Sequence, residues 1–412
     1  MKKLLNEAIE SIKPDKNYEK EILEKANSII KKINSSLKDA KVVLGGSGAK
    51  GTWLKTFDVD IFVKFNYEKF KGKSNQISDI LEKSLKKHFK IIKLHGSRDY
   101  FQIKQKDFTF EIIPILNIKK SGQAKNITDV SPLHSNFIKK HKKLANEIRL
   151  TKQFFKAAKV YGAESHIKGF SGYVCEILTI HYGSFLKLMK EITKWKEKSV
   201  IDVENYYKGK NVFMEVNKSK LVSPLIVIDP VQKDRNAAAA LDKEKFGIIK
   251  SRAKEFLKKP SKEFFEIKTL SEKDLKKKAG KNKLIILKAE PLKKKEDIAG
   301  AKMLKAFHFI ENNIVSNAFE VIESDMVWNL KSSLFYYILK NDALPNTLEL
   351  SGPPLKIKPA VISFKKKHKN TFTKGKRIFA KEKRKFTKAK QLINSLIKKT
   401  NVKDNLIKIK II

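Results

Sequence analysis

The chain has 412 residues, enough for roughly two to four domains and a sizeable core. Lysine and arginine number 90 against 44 aspartate and glutamate, and the net charge of +46 points to a polyanionic partner, nucleic acid before any other. One cysteine, Cys175, excludes an intrachain disulfide and a thiolate zinc cluster, and no apolar run reaches the roughly 18 residues that cross a bilayer.

The first ten residues carry acids inside their apolar run and read as an amphipathic helix, not a signal peptide. The protein is therefore expected to be soluble and cytoplasmic. Residues 1–40 are expected to form two amphipathic helices, and 41–120 a mixed sheet. Within that sheet lies Gly46-Ser47-Gly48-Ala49-Lys50-Gly51-Thr52-Trp53-Leu54, followed at once by Phe57-Asp58-Val59-Asp60-Ile61-Phe62-Val63. Strand side chains alternate faces, so Asp58 and Asp60 are expected on one side, and Phe57, Val59, Ile61 and Val63 in a core on the other. Two carboxylates side by side repel unless a cation lies between them. Hard oxygen ligands suit Mg2+, which binds through carboxylates plus substrate phosphates. The glycine turn just upstream offers amides to phosphates. Together the motifs predict a site for a Mg-nucleoside triphosphate.

Farther on, Ile77, Ile80, Leu81, Leu85 and Phe89 fall at helical spacing. The run 100–114 alternates again, with Phe108, Phe110 and Ile112 on one face and Thr109 and Glu111 on the other. An unpartnered carboxylate among such neighbours is costly, and a metal shared with Asp58 and Asp60 would partner Glu111. Residues 119–130 read as a polar connector. Helices are expected near 146–162, 171–182 and 185–196, a short buried strand at 224–230, and another helix from 236. Beyond about 258, strand-like runs at 284–287, 319–322 and 328–339 alternate with lysine-rich loops, and no internal repeat is found. The last sixty residues hold 20 lysines or arginines against Glu382 and Asp404, with Phe364, Phe372, Phe379 and Phe386 among them. Bases interleaved with aromatics suit backbone neutralisation and stacking on exposed nucleobases.

A Gly-Ser turn, a DxD strand and a third carboxylate on a later strand form the signature of the nucleotidyltransferase superfamily that includes DNA polymerase beta. Further blocks follow in order: Asp129-Val130-Ser131-Pro132-Leu133-His134, Ile148-Arg149-Leu150-Thr151-Lys152-Gln153-Phe154, Tyr161-Gly162-Ala163-Glu164, Gly169-Phe170-Ser171-Gly172-Tyr173, and Ile228-Asp229-Pro230-Val231 through Arg235-Asn236. With the acidic site, the chain closely resembles the archaeal class I CCA-adding enzymes (tRNA nucleotidyltransferases), most strongly over about 40–245.

The resemblance implies an α+β multidomain fold. A nucleotidyltransferase head with a mixed sheet would span 1–145, a helical neck that recognises the base 146–257, and an α/β body and basic tail that bind tRNA 258–412. It implies template-independent addition and repair of the 3′-terminal CCA from CTP and ATP, with two Mg2+ ions on Asp58, Asp60 and Glu111. Gly46 and Ser47 would form the phosphate-binding turn, with Lys50 placed to assist. Ser131, His134, Lys152 and Tyr161 would hold the triphosphate and sugar. Arg235 would read the base: a guanidinium only donates, and C and A offer acceptor nitrogens where U and G present N–H donors. The partner implied is tRNA, its acceptor stem at the head and its elbow at the tail, with no membrane. The family is often dimeric, which allows a homodimer, while the sequence itself does not fix the oligomeric state. Two departures stand out: Glu111 occupies a place where the family usually has Asp, and Val130 replaces a commonly basic residue. The competing readings are a non-templated poly(A) polymerase or oligoadenylate synthetase-like enzyme, which would add A alone, and a non-catalytic RNA-binding protein.

Overall fold

Two amphipathic helices, Lys2–Ile12 and Lys16–Ser36, open the chain, the second starting on Asp15, whose carboxylate accepts the amides of Asn17 and Tyr18. The computed structural model describes residues 1–55, 58–105, 108–268, 270–328 and 333–412, so the expected strand position of Phe57 and part of the 328–339 run lie outside the described residues. The chain divides into two units, Met1–Lys268 and Thr269–Ile412. The architecture is α+β, with several separate sheets. Among the described residues, no helix is long and apolar enough to cross a membrane.

In the first unit, strands β1 (Ala40–Leu44), β2 (Val59–Phe65), β3 (Ile92–Leu94), β4 (Tyr100–Gln105) and β5 (Phe108–Leu116) assemble in the order β1-β2-β5-β4-β3. β2 and β5 run parallel and the other neighbours antiparallel, so the sheet is mixed. Val59, Ile61, Val63, Phe110 and Ile112 bury one face against Ile22, Ala26, Ile29 and Ile33 of the second helix and Ile77, Leu81 and Leu85 of the Ile77–Leu85 helix. The alternation that fills this core sends Asp60 and Glu111 to the opposite face, as register partners.

The helices Ala145–Ala157, Gly172–Tyr182, Phe185–Lys194 and Lys243–Lys258 enclose a second core rich in phenylalanine, including Phe154, Phe155, Phe185 and Phe256. The opening helix contributes Leu5, Ala8, Ile9 and Ile12 to this core, not to that of the sheet. β6 (Ser199–Asp202) and β7 (Leu225–Ile228) pair in parallel, and all four β7 residues are buried between the flanking prolines. Two expectations are corrected: the helix expected to reach 162 ends at Ala157, and residues 236–241 are not helical, the next helix starting at Lys243 behind the cap Asp242. The Asn236 side chain accepts the amides of Val227 and Ala238 and donates to Lys220 O and Ser223 Oγ. Bonding its own neighbouring backbone in this way fixes a turn in place of a helix.

In the second unit, β8 (Lys283–Glu290), β9 (Val321–Trp328), β10 (Ser333–Leu339), β11 (Thr347–Pro354), β12 (Thr371–Lys374), β13 (Arg377–Lys383) and β14 (Lys408–Ile411) form two antiparallel sheets, β14-β8-β10-β9 and β11-β13-β12. The helix Glu296–Ser316 packs Met303, Phe307 and Ile310 onto Phe335 and Tyr337 of β10. The small sheet and the helix Lys358–Lys367, with Lys365, Lys366 and Lys367 in its last turn, carry much of the basic charge. After it the chain returns: Leu392, Ile393, Leu396, Val402 and Leu406 enter the core beside Phe335, and β14 pairs with β8. The basic region is thus an excursion from the body, and the last residues complete the body's own sheet.

Candidate active site

The Gly46–Lys50 helix follows β1 directly, and the Gly45 amide donates to the Asp60 carbonyl at 2.7 Å. Gly46 has φ +50°, and a Cβ there would lie 1.6 Å from Asp60 Oδ2. Only glycine lets the turn come this close to the carboxylate. Ser47 lies in the same turn, its carbonyl accepting the Thr52 amide at 3.1 Å. Across the parallel pair Asp60 faces Glu111, whose Oε1 accepts from Gln102 Nε2 at 3.0 Å. Asp58 precedes the first residue of β2 and is exposed.

Burial, and then the charge of Glu111, push the Asp60 carboxyl up to about 7, with Lys50 opposing. Among the described residues no lysine or arginine makes an ion pair with Asp60. Two carboxylates as register partners beside a glycine turn are a hard-oxygen donor set, and with burial raising the Asp60 carboxyl the chemistry fits a divalent cation. Among the described residues no three carboxylate, imidazole or thiolate groups gather tightly enough to cage an ion alone. An ion here would take further ligands from substrate oxygens, as Mg2+ sites commonly do.

Lys50 and Lys152 meet on a single carboxylate. Glu176, wholly buried in the Gly172–Tyr182 helix, accepts from Lys50 Nζ at 2.8 Å, Lys152 Nζ at 2.7 Å and Thr52 Oγ1 at 2.9 Å. Lys152 also donates to Thr52 Oγ1 at 3.0 Å. Burial works to raise the Glu176 carboxyl, but Lys152 and Lys50 outweigh it and hold it down at about 2. Tyr161 lies beside this group. A Cβ on Gly172 would come 2.6 Å from its Oη and 3.8 Å from Lys152 Cε, so glycine leaves room for the phenol. Burial pushes that phenol well above its ordinary range.

A second group gathers on Asp229. The helix that carries Ser131 and brings His134 to it, Ser131–Lys139, is anchored through Asp129, which accepts from Arg98 at 2.5 Å and from the amides of Leu116, Lys125 and Asn126. This helix packs against the Gly46–Lys50 helix. His134 Nε2 lies 3.1 Å from Asp229 Oδ2, and its ring stacks on Tyr173 at 4.1 Å. Tyr173 Oη donates to Asp229 Oδ1 at 3.0 Å, and Arg235 Nη1 to Asp229 Oδ2 at 2.6 Å. Burial would raise the Asp229 carboxyl, but the His134 hydrogen bond, with the Arg235 charge, holds it at about 2. The Arg235 side chain stays 34% exposed, with further N–H donors for a ligand.

The structure thus sorts the residues singled out in the sequence into two groups. Gly46, Ser47, Asp58, Asp60, Glu111, Lys50, Lys152 and Tyr161 surround the turn, and His134 and Arg235 meet at Asp229, with Ser131 one helical turn from His134. One helix joins the groups, because Tyr173 and Glu176 are a turn apart on it. The sequence reading missed Glu176, Asp229 and Tyr173 as organisers of the site. The signal for Glu176 was available: it is a lone acid inside the apolar run 174–180, the same anomaly that marked Glu111.

Family models match nearly end to end: a nucleotidyltransferase domain over residues 23–144, the second domain of tRNA nucleotidyltransferases over 146–266, and the C-terminal domain of CCA-adding enzymes over 280–406. A CCA-adding enzyme of Nanoarchaeum equitans is 42% identical over 288 residues, 68% of each chain. One of Methanocaldococcus jannaschii is 32% identical over 399 residues, covering 92% of this chain and 87% of its own. Solved structures of a cytoplasmic RNA terminal U-transferase and of the Cid1 poly(U) polymerase align over 65% of this chain and 98% of theirs, with TM-scores of 0.51 and 0.53 at 14% identity. Likeness this remote speaks for the fold alone.

Proposed function

We infer the function from one premise: the chain belongs to the family of CCA-adding enzymes. It adds and repairs the 3′-terminal CCA of tRNA from CTP and ATP without a nucleic-acid template, releasing pyrophosphate. The observation that carries the reading is Asp60, set opposite Glu111 under the Gly46 turn and, among the described residues, in no ion pair with a lysine or arginine where phosphates would arrive.

Asp58, Asp60 and Glu111 would hold divalent metal, two Mg2+ ions that when bound activate the tRNA 3′-hydroxyl and stabilise the leaving pyrophosphate. Gly46, Ser47 and Lys50 cradle the phosphates, and Ser131, His134, Lys152 and Tyr161 orient triphosphate and sugar. Asp229 fixes Arg235, so that its remaining donors favour the acceptor edges of C and A over U and G. Residues 1–145 act as catalytic head, 146–257 as base-reading neck and 258–412 as the tRNA-binding body and tail. The lysines of the Lys358–Lys367 helix grip the elbow of tRNA, and the enzyme works in the cytoplasm as a homodimer.

The test is extension of a labelled tRNA that ends at its discriminator base. Two additions with CTP alone, and a third once ATP is present, are expected. Runs of A with ATP alone would place the protein among poly(A) polymerases, and no extension under any mixture would leave RNA binding as its activity.

A further inference from the structure

The helix Ala145–Ala157 carries two lysines one turn apart, Lys152 and Lys156, and they meet different surroundings. Lys152 is 4% exposed. Its ammonium has three hydrogens, and three protein acceptors lie within reach: Glu176 Oε1 at 2.7 Å, Thr52 Oγ1 at 3.0 Å and the Thr52 carbonyl at 3.4 Å. In this arrangement protein acceptors engage all three hydrogens, so Lys152 reaches a triphosphate only by exchanging one of these bonds. Lys156 is only partly buried, and no carboxylate lies within ion-pair distance of it among the described residues. Its Nζ stands 5.1 Å from the centroid of the Tyr161 ring. Its charge acts on Asp58, and that of Asp58 on it. Tyr161 in turn feels the charge of Asp60.

We propose that Lys156 is a further ligand of the nucleoside triphosphate, the ammonium that meets its phosphates between Asp58 and the ring of Tyr161. The inference rests on the proposed nucleotide site and extends it to a residue that the sequence blocks did not single out. The physical case is a contrast of commitments. Glu176 absorbs the charge of Lys152 and part of that of Lys50, so these two ammoniums with one carboxylate leave a net charge of about +1 beside the acidic trio. With the two Mg2+ ions of the proposed site at +4 and the trio at −3, the sum is about +2, short of the roughly −4 of a triphosphate. Lys156 supplies further positive charge from a partly dehydrated place, where a charge–charge contact is stronger than at the open surface. The ring of Tyr161 holds the ammonium by cation–π attraction without consuming its hydrogen-bond donors.

The alternative is that Lys156 merely packs on Tyr161. The experiment uses the full chain, a tRNA ending at its discriminator base for CTP, and one ending in CC for ATP. Lys156→Met is expected to raise KM for both nucleotides about tenfold or more with kcat changed a few-fold, and to leave the thermal midpoint in place. Lys156→Arg keeps the charge and is expected to recover most of the loss. A Lys156→Met variant with wild-type KM for both nucleotides overturns the proposal. So does a raised KM that comes with a fallen thermal midpoint and is not restored by arginine. Asp60→Asn, assayed in parallel, separates the two levels. If it is inactive while Lys156→Met is normal, only this inference fails; if it stays active, the nucleotide site itself is misplaced.

Discussion

Asp60 and Glu176 lie in the same unit, both largely withdrawn from water, and they hold opposite electrostatic states. Asp60 has Glu111 as its neighbour and, among the described residues, no ion pair with a lysine or arginine, and its carboxyl is pushed up to about 7. Glu176 is more deeply buried, yet two lysines and a threonine hydroxyl hold it at about 2. Burial works in the same direction at both, so the partners decide the outcome. The difference separates a carboxylate that the fold has already satisfied from one that an incoming cation must satisfy. In the proposed reading the first braces the site and the second would hold the metal.

Substitutions can break this contrast. Asp60→Asn removes the unsatisfied charge, and nucleotide addition is expected to fall about 10³-fold or more while the thermal midpoint holds or rises. A midpoint that falls sharply would make Asp60 a brace like Glu176. Glu176→Gln leaves two lysines without their partner and is expected to cost about 3–5 kcal/mol of stability, measured by denaturant unfolding. The sign with pH follows from its depressed carboxyl. The contribution of Glu176 is complete above its ordinary value of 4.5 and is lost as pH falls toward about 2. The stability gap between wild type and Glu176→Gln should therefore close across that window and stay constant above it.

Arg235→Lys keeps charge near Asp229 but loses the planar fork. The preference for CTP and ATP over UTP and GTP is expected to drop by about 2 kcal/mol, roughly thirtyfold, in competition assays. The smallest effect is expected far from both carboxylates. Changing Lys365, Lys366 and Lys367 together to Gln should weaken tRNA binding several-fold and reduce its salt slope by about one for each phosphate no longer neutralised. Substitution is the right tool there, because deleting everything from about 353 onward would also remove Leu392, Ile393 and β14 from the core of the body.

The acidic strands were legible in the sequence because period-two alternation dictates which side chains share a face, and Asp60 and Glu111 interrupt apolar runs that would otherwise be core. The Gly172–Tyr182 helix was legible because Ser171 and Gly183 punctuate it, one accepting the Val174 amide and the other in the left-handed region, whereas Glu296–Ser316 stood where only strands and lysine-rich loops were expected. Long-range pairing was not legible. Nothing local says that Lys50, Lys152 and Glu176 share one point, or that His134 and Arg235 share Asp229, since those interactions join segments up to 126 residues apart. The false helix at 236 came from reading Ala237–Ala240 as helical while the side chain of Asn236 was already committed to the backbone of β7. The return of the chain to β8 was hidden because the terminal strand, Lys408–Ile411, is short and carries lysines at alternate places.

The most direct test of the account measures single-turnover extension of tRNA and the thermal midpoint for Asp60→Asn and Glu176→Gln side by side. The account predicts an Asp60 variant that is folded and inactive, and a Glu176 variant whose midpoint is clearly lowered. An Asp60→Asn protein that completes CCA at the wild-type rate would contradict it.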